Sequence, residues 1–303
     1  MRPATGVQHE LVFEDQRAVA VEVGGGLRRY AVGRREILDG YEADEVCPGG
    51  AGQILAPWPN RIEDGWYDFA GTGYLLHVNE HATGTAIHGL ARWISWVKLD
   101  GDPSRVRLGC LLNARPGYPF SLELSVTWEL GPGGLRAVHH AKNIGAHPCP
   151  FGLGVHPYLR APSGAVDDFV LTVPASSAEE VDRNGVPVRT VAVEGTALDF
   201  RAGQRIGERA IDRSYSALAA TSNGRVEISL ASSDEPWARL WFQPPFRHVQ
   251  IFTGDTLTAR RRRRALAVEP LTCPANAFRS GQDLITLPPG GTIEAVWGIE
   301  PAR

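Results

Sequence analysis

The chain has 303 residues, 43% of them hydrophobic, and a formal net charge of −3. That balance gives no reason to expect nucleic acid or an anionic membrane as partner, and no apolar run approaches the roughly 20 residues of a membrane helix. The opening MRPATGVQHE lacks the apolar stretch of a secretory signal, and Cys47, Cys110, Cys149 and Cys273 lie far apart with no CxxC pair, so the expectation is a cytoplasmic, thiol-reduced soluble protein without a zinc ribbon.

In chain order, short alternating segments recur between turn residues. Residues 18–23 and 27–32 flank Gly24–Gly26, and residues 66–69 and 74–77 flank Gly71–Gly73; both read as hairpins. Residues 93–99 and 105–112 follow as strand candidates. In 122–130, Leu122, Leu124, Val126, Trp128 and Leu130 share one face, while Glu123, Ser125, Thr127 and Glu129 share the other. A turn at 131–134 leads into 135–143 as its partner. Further candidates are 169–173, 226–231, 239–242, 248–252 and 265–268, and near the end Ile293, Ala295 and Trp297 keep the period of two. Helical periodicity is scarce, and 34 Gly and 22 Pro punctuate the chain. These patterns predict an all-β fold, a large antiparallel β-sandwich with few short helices, as one domain over residues 1–303. Segments 39–54 and 175–207 read as long loops, the kind that carry function or cover a site.

Residues 151–162, FGLGVHPYLRAP, concentrate chemistry. Pro157 pushes His156 towards an extended backbone, so His156 and Tyr158 point to the same side. A group that titrates near neutrality thus stands beside a ring that can stack on a ligand. The same letters also suit a buried turn.

Four more stretches carry candidates. In APWPNRIEDGWY, Asn60 and Arg61 follow two prolines, and the guanidinium offers a planar fork for vicinal hydroxyls or a carboxylate; a surface arginine is the plain alternative. In AIHGLARW, His88 precedes Gly89, although a lone His after an apolar residue is more often a core histidine. His77 and His81 have the i,i+4 spacing of a helical metal pair, but residues 74–77 read as strand and no metal is expected. Asp212 in AIDRSYSAL is unusual in a strand, and a turn or cap explains it equally well. Glu269 in AVEPLTCPANAF ends an apolar strand before Pro270, where partial desolvation would raise its basicity; an edge-strand carboxylate facing water is the alternative.

Together, PWPNRI, NEHATGTAIHGL, PFGLGVHPYL, IDRSY, VQIFTGD and VEPLTCPANAF, in that order, resemble the aldose 1-epimerase (galactose mutarotase) family, and more closely its short bacterial branch. The chain departs from the family in having Pro157 inside the His-x-Tyr motif and five consecutive arginines at 260–264. The resemblance implies a galactose mutarotase-like supersandwich with an open sugar cleft. It implies Glu269 as general base, His156 as general acid, and His88 as an assistant at the ring oxygen. Asn60, Arg61, Asp212 and Gln250 would anchor hydroxyls, and Tyr158 would line the cleft.

The residue types suit the reaction. Interconverting α and β anomers of a free aldohexose such as glucose or galactose requires taking a proton from the C1 hydroxyl and giving one to the ring oxygen, then the reverse. No cofactor or metal is called for, and a small-molecule sugar is the expected partner of a monomer or homodimer. A phosphorylated or sulfonated hexose, clamped by the arginines at 260–264, is the close alternative, although a solvated hairpin is the preferred reading of those arginines. A non-catalytic carbohydrate-binding protein and a glycosidase using Asp212 with Glu269 are the remaining options.

Overall fold

A computed structural model describes residues 2–232 and 235–302. The strands form an antiparallel all-β architecture of two large sheets with smaller ones at their margins. The nine-stranded sheet runs in the order Val97–Asp102, Arg105–Leu112, Leu122–Gly131, Gly134–Asn143, Thr292–Pro301, Glu235–Phe242, Val226–Ser232, Phe169–Thr172 and Gln204–Arg205. The second sheet runs Pro187–Ala192, Ala175–Val181, Asp212–Leu218, His248–Phe252, Ala265–Leu271, Gly154–Val155 and Ile54–Leu55, and Tyr158–Arg160 also pairs with Ala265–Leu271.

The clean alternation at 122–130 becomes a long strand paired with Gly134–Asn143, in register from Leu122–Asn143 to Gly131–Gly134. Its predicted apolar face is buried throughout, and Trp128 packs edge-on against Trp297 of Thr292–Pro301, two strands along the sheet. A four-stranded sheet, Gln8–Phe13, Gln16–Val21, Leu27–Val32 and Arg35–Glu36, contains the first predicted hairpin. It is tied to the large sheet by Gln16, whose amide donates to the Gly131 carbonyl at 2.7 Å and whose oxygen accepts from the Tyr30 hydroxyl at 2.8 Å.

The two large sheets bury one continuous core. From the second sheet, Tyr215, Val249, Ile251, Leu159, Leu266 and Val268 enter it, meeting Leu124, Val126, Leu171, Ile228 and Leu240 from the first. The alternate residues of the same strands, Tyr158, Phe252, Ala265 and Ala267, point the other way and form a small separate cluster with Tyr41, Cys47 and Ala51. The period of two therefore gives the second sheet two buried faces, one structural and one lining a cleft.

Several sequence expectations change. Segment 175–207 contains the strands Ala175–Val181, Pro187–Ala192 and Gln204–Arg205 rather than a bare loop. Its residues ASSAEEV are weak strand formers, and buried Ala175 and Ala178 supply the packing. The strand expected at 93–99 begins at Val97, after a short 3₁₀ turn, Ala91–Trp93. The strand expected to stop at Val268 continues to Leu271, which puts Glu269 inside it, opposite Gln250. His77 and His81 are not on a helix; the described helices are Ala91–Trp93, Val166–Asp168 and Ala277–Ser280. No helix among the described residues is long and apolar enough to cross a membrane.

Within 260–264, Arg261, Arg263 and Arg264 form neither an open clamp nor a solvated turn, while Arg260 and Arg262 are exposed. Arg261 is buried and reaches Asp39 at 3.3 Å and Glu45 at 3.1 Å. Arg264 binds Asp39 at 2.8 Å, and Arg263 bridges Asp167 at 2.9 Å and Asp255 at 2.7 Å. Three of the five are thus consumed by carboxylates, and two of them, Arg261 and Arg264, hold segment 39–54 in place through Asp39 and Glu45.

Candidate active site

The cleft on the outer face of the second sheet is assembled by strand register. Ser214 pairs with Gln250 and Gln250 with Glu269, so their side chains share one row. Asp212 lies two residues before Ser214, on the same face. Tyr158 pairs with Ala267, and His156 precedes it by two, which brings the imidazole beside the row. Pro157 keeps the segment extended, and its carbonyl accepts from the Val268 amide at 3.2 Å.

Asn60 and His88 come from a separate ribbon, Arg61–Glu63 paired with Thr85–Ile87. Both residues stand just beyond the ladder with positive φ, 52° and 63°, and the His88 amide donates to the Asn60 carbonyl at 2.9 Å. Two non-glycine residues in the left-handed region at one ribbon end are held there by their surroundings. Gly89, also left-handed, sits so close to Ala56 that a Cβ would fall 2.2 Å from its carbonyl oxygen.

All eight residues singled out in the sequence, Asn60, Arg61, His88, His156, Tyr158, Asp212, Gln250 and Glu269, line this one cleft of about 300 Å³. His156 Nε2 lies 3.3 Å from Glu269 Oε1, and both side chains are almost fully buried. The His156 ring stacks on Tyr158, centroids 4.9 Å apart, and meets His88 edge-on at 5.4 Å. Tyr158 donates to the Gly49 carbonyl at 3.0 Å. Asn60 Nδ2 lies 3.5 Å from Gln250 Oε1, and Gln250 Nε2 donates to Asp212 Oδ1 at 2.5 Å, a chain that sets the orientation of the Gln250 amide. Asn60 Oδ1, His88 Nδ1, His156 Nδ1 and Ser214 Oγ are buried without a protein partner, a concentration of unsatisfied groups that is rare outside binding sites.

Burial dominates the electrostatics. Desolvation pushes the Glu269 carboxyl well above the usual carboxylate range, the Asp212 charge adds to this, and Arg61 opposes it. Desolvation likewise pushes His156 down to about 3, with Arg92 contributing, and takes His88 well below its ordinary value, helped by His156, Arg92 and Arg61. Each group alone therefore favours its neutral form.

The Arg61 fork is also occupied. Its Nε and Nη2 bind Glu80 at 2.6 and 2.9 Å, and Glu80 accepts in addition from Thr83 at 2.6 Å and Thr85 at 2.8 Å. Glu80 lies within the NEHATG stretch but was not singled out, since nothing local distinguishes an ion-pairing carboxylate from a solvated one. Cys47, Gly49 and Gly50 from segment 39–54 line the cleft as a covering loop, along with Arg92, Trp93, Phe252 and Leu257.

Comparison with known proteins supplies the relationship. A family model described as aldose 1-epimerase matches residues 10–300. The chain belongs to the aldose 1-epimerase family. It is 32% identical over 293 residues to the Escherichia coli K12 protein YihR, itself described as uncharacterized, covering 94% of this chain and 90% of that protein. The same fold is seen in a GalM/aldose epimerase homologue from C. elegans (TM-score 0.86, 19% identity, 98% of this chain and 99% of that one). It recurs in galactose 1-epimerase from Lactobacillus acidophilus NCFM (TM-score 0.82, 20% identity, 98% and 95%). As a family member, the chain is of the isomerase type that acts on carbohydrates, with a mutarotase-like β-sandwich.

Proposed function

We propose that this aldose 1-epimerase family member interconverts the α and β anomers of a free aldohexose, with glucose and galactose as the first sugars to test. The observation that carries the reading is the 3.3 Å approach of His156 Nε2 to Glu269 Oε1 inside a cleft of sugar size. In this reading both groups rest neutral, and transfer of the Glu269 proton to His156 leaves the net charge of the pair unchanged and creates the base and the acid together.

Glu269 then removes the proton of the C1 hydroxyl as the bond from C1 to the ring oxygen breaks, and His156 protonates that oxygen. The open aldehyde turns about its C1–C2 bond, and reclosure on the other face returns both protons. Each positioned acid or base contributes about 10²–10⁴-fold. His88 stands against His156 to support the ring oxygen. Asn60 Oδ1, the oriented Gln250 amide and Asp212 hold the remaining hydroxyls while C1 moves, and Arg61 does so only through N–H groups that Glu80 leaves free.

Polarimetry of freshly dissolved α-D-glucose and α-D-galactose, with and without the protein, tests the proposal. Acceleration of the approach to the equilibrium rotation is expected. A carbohydrate-binding protein without catalysis would bind the sugar and leave that rate at its uncatalysed value.

A further inference from the structure

Arg61 and Glu80 both line the cleft, and their pairing is fixed by several bonds at once. Glu80 Oε1 accepts from Arg61 Nη2 at 2.9 Å. Glu80 Oε2 accepts from Arg61 Nε at 2.6 Å and from the Thr83 and Thr85 hydroxyls at 2.6 and 2.8 Å. The turn that carries these groups closes on itself, with the Glu80 amide donating to the Thr85 carbonyl at 3.1 Å and the Thr85 amide to the Glu80 carbonyl at 3.2 Å. The remaining guanidinium nitrogen, Nη1, abuts Gly185, where a Cβ would fall 2.6 Å from it. Burial opposes ionisation of Glu80, yet the bonds from Arg61, Thr83 and Thr85 outweigh it and hold the carboxyl below its ordinary value.

The charges around the pair show what this clamp restrains. Burial opposes the Arg61 charge and Glu80 favours it, and Asp212 and Glu269 add to the favourable side. Arg61 in turn pulls Glu269 down, against burial and Asp212. Arg61 is thus within electrostatic reach of two further carboxyl groups in the same cleft. Glu269 faces His156 and Tyr158 from one side, Asp212 from its own sheet and Arg61 from the ribbon, and of these Arg61 is the cation. A guanidinium free to turn would find a planar partner in Glu269. Contact with an opposite charge lowers a carboxyl by about 1–3 pH units, and the proton that Glu269 is to pass to His156 would then be missing at rest.

Taking the anomer-exchange reading as its basis, we infer that Glu80 is a positioning residue for the reaction: it restrains Arg61, so that the guanidinium offers a hydrogen bond to a sugar hydroxyl without closing on Glu269. Thr83 and Thr85 act with it by holding the carboxylate in place. An ion pair that only steadied the ribbon would leave Glu269 untouched, so the state of Glu269 separates the two roles.

The test follows the Glu269 carboxyl itself. Protein labelled with ¹³C at the glutamate side-chain carboxyl is titrated by NMR, and the Glu269 signal is assigned by its loss in Glu269→Gln. Relative to wild type, Glu80→Ala should lower the Glu269 midpoint by about one pH unit or more. Glu80→Gln, which keeps one acceptor for Arg61, should lower it by less. The double variant Glu80→Ala, Arg61→Met should return the midpoint to the wild-type value or above it, because the effect passes through Arg61. An unchanged midpoint in the single variants, or a lowered one that persists without Arg61, overturns the inference. Glu80→Gln retains the size of the native side chain and decides the matter if Glu80→Ala does not fold.

Turnover gives the second readout. With fresh α-D-glucose, the alkaline limb of the kcat profile should move down in Glu80→Ala by the same amount as the Glu269 midpoint. A change in KM or Tm with that limb in place marks a structural pair and overturns the inference. If wild type turns over no sugar, the proposed activity fails, and the titration still decides whether Glu80 keeps Arg61 off Glu269.

Discussion

Two polar clusters flank segment 39–54, and they are built on opposite principles. On one side, Asp39 collects Arg160, Arg261 and Arg264, while Arg263 is shared between Asp167 and Asp255, so that cation and anion are matched. On the other side, Asn60, His88, Arg92, His156 and Ser214 keep buried donors or acceptors without protein partners, and Glu269 faces His156 in near-complete burial. A satisfied network anchors a loop; an unsatisfied one waits for a ligand. Arg261, Arg263 and Arg264, part of the alternative anion clamp read in the sequence, belong to the first of these clusters.

The largest effect that sharpens this contrast is on stability. Asp39→Ala leaves three guanidinium groups without their common acceptor, and breaking buried pairs in this way costs about 3–5 kcal/mol. Urea denaturation should show a loss near the lower end, since Arg160 and Arg264 retain access to water. A loss within experimental error would remove the distinction between an anchoring and a binding cluster.

Next comes the ribbon end. Gly89→Ala forces a Cβ against the Ala56 carbonyl at positive φ, and the strain of about 1–3 kcal/mol should displace His88. The account expects kcat to fall with little change in KM, measured by polarimetry. A fall in stability alone would make Gly89 purely structural.

The pH dependence is a subtler probe. Because burial lowers His156 and raises Glu269, the one-proton state of the pair should persist across a broad neutral plateau. Activity should fail on the acid side when His156 gains a second proton, and on the alkaline side when the shared proton leaves Glu269, the reverse of the order suggested by unperturbed groups. The linked effect on stability has a definite sign. The folded Glu269 pKa is raised, so the folded state holds a proton that the unfolded chain releases, and stability falls as pH rises above the unfolded value of about 4.3. Glu269→Gln should therefore show a shallower decline of Tm than wild type as pH rises from about 4.3, and an equal slope would show that the Glu269 pKa is not raised on folding.

The smallest expected effect is at Tyr158. Phenylalanine there keeps the stack on His156 but loses the 3.0 Å bond to the Gly49 carbonyl, worth about 1 kcal/mol. Loosening of the covering loop should raise KM a few-fold, and no change in KM would mean that the bond does not hold the loop over the sugar.

Much of this arrangement was legible in the chain. The alternation at 122–130 reports directly which face carries the apolar core, because a strand has only two faces. The histidine–proline and glutamate–proline pairs mark stiff positions, and the ordered motifs brought all eight singled-out residues to one cleft. What stayed hidden depends on long side chains from distant segments meeting in space. Glu80 closing on Arg61, and Asp39 gathering the arginines at 261 and 264, leave no local signature. Arg92 sits three residues after Gly89 in a stretch already quoted for His88, yet only the structure shows that it lacks a partner. The strands at 175–192 were missed because alanine, serine and glutamate carry little β preference until tertiary packing supplies it.

The most direct measurement compares Glu269→Gln with wild type at matched protein and sugar concentration, following optical rotation after dissolving a pure α anomer and sugar binding by calorimetry. The account predicts that the variant binds the sugar nearly as well as wild type while exchange slows by about 10²–10⁴-fold. A variant that exchanges anomers at the wild-type rate would contradict it.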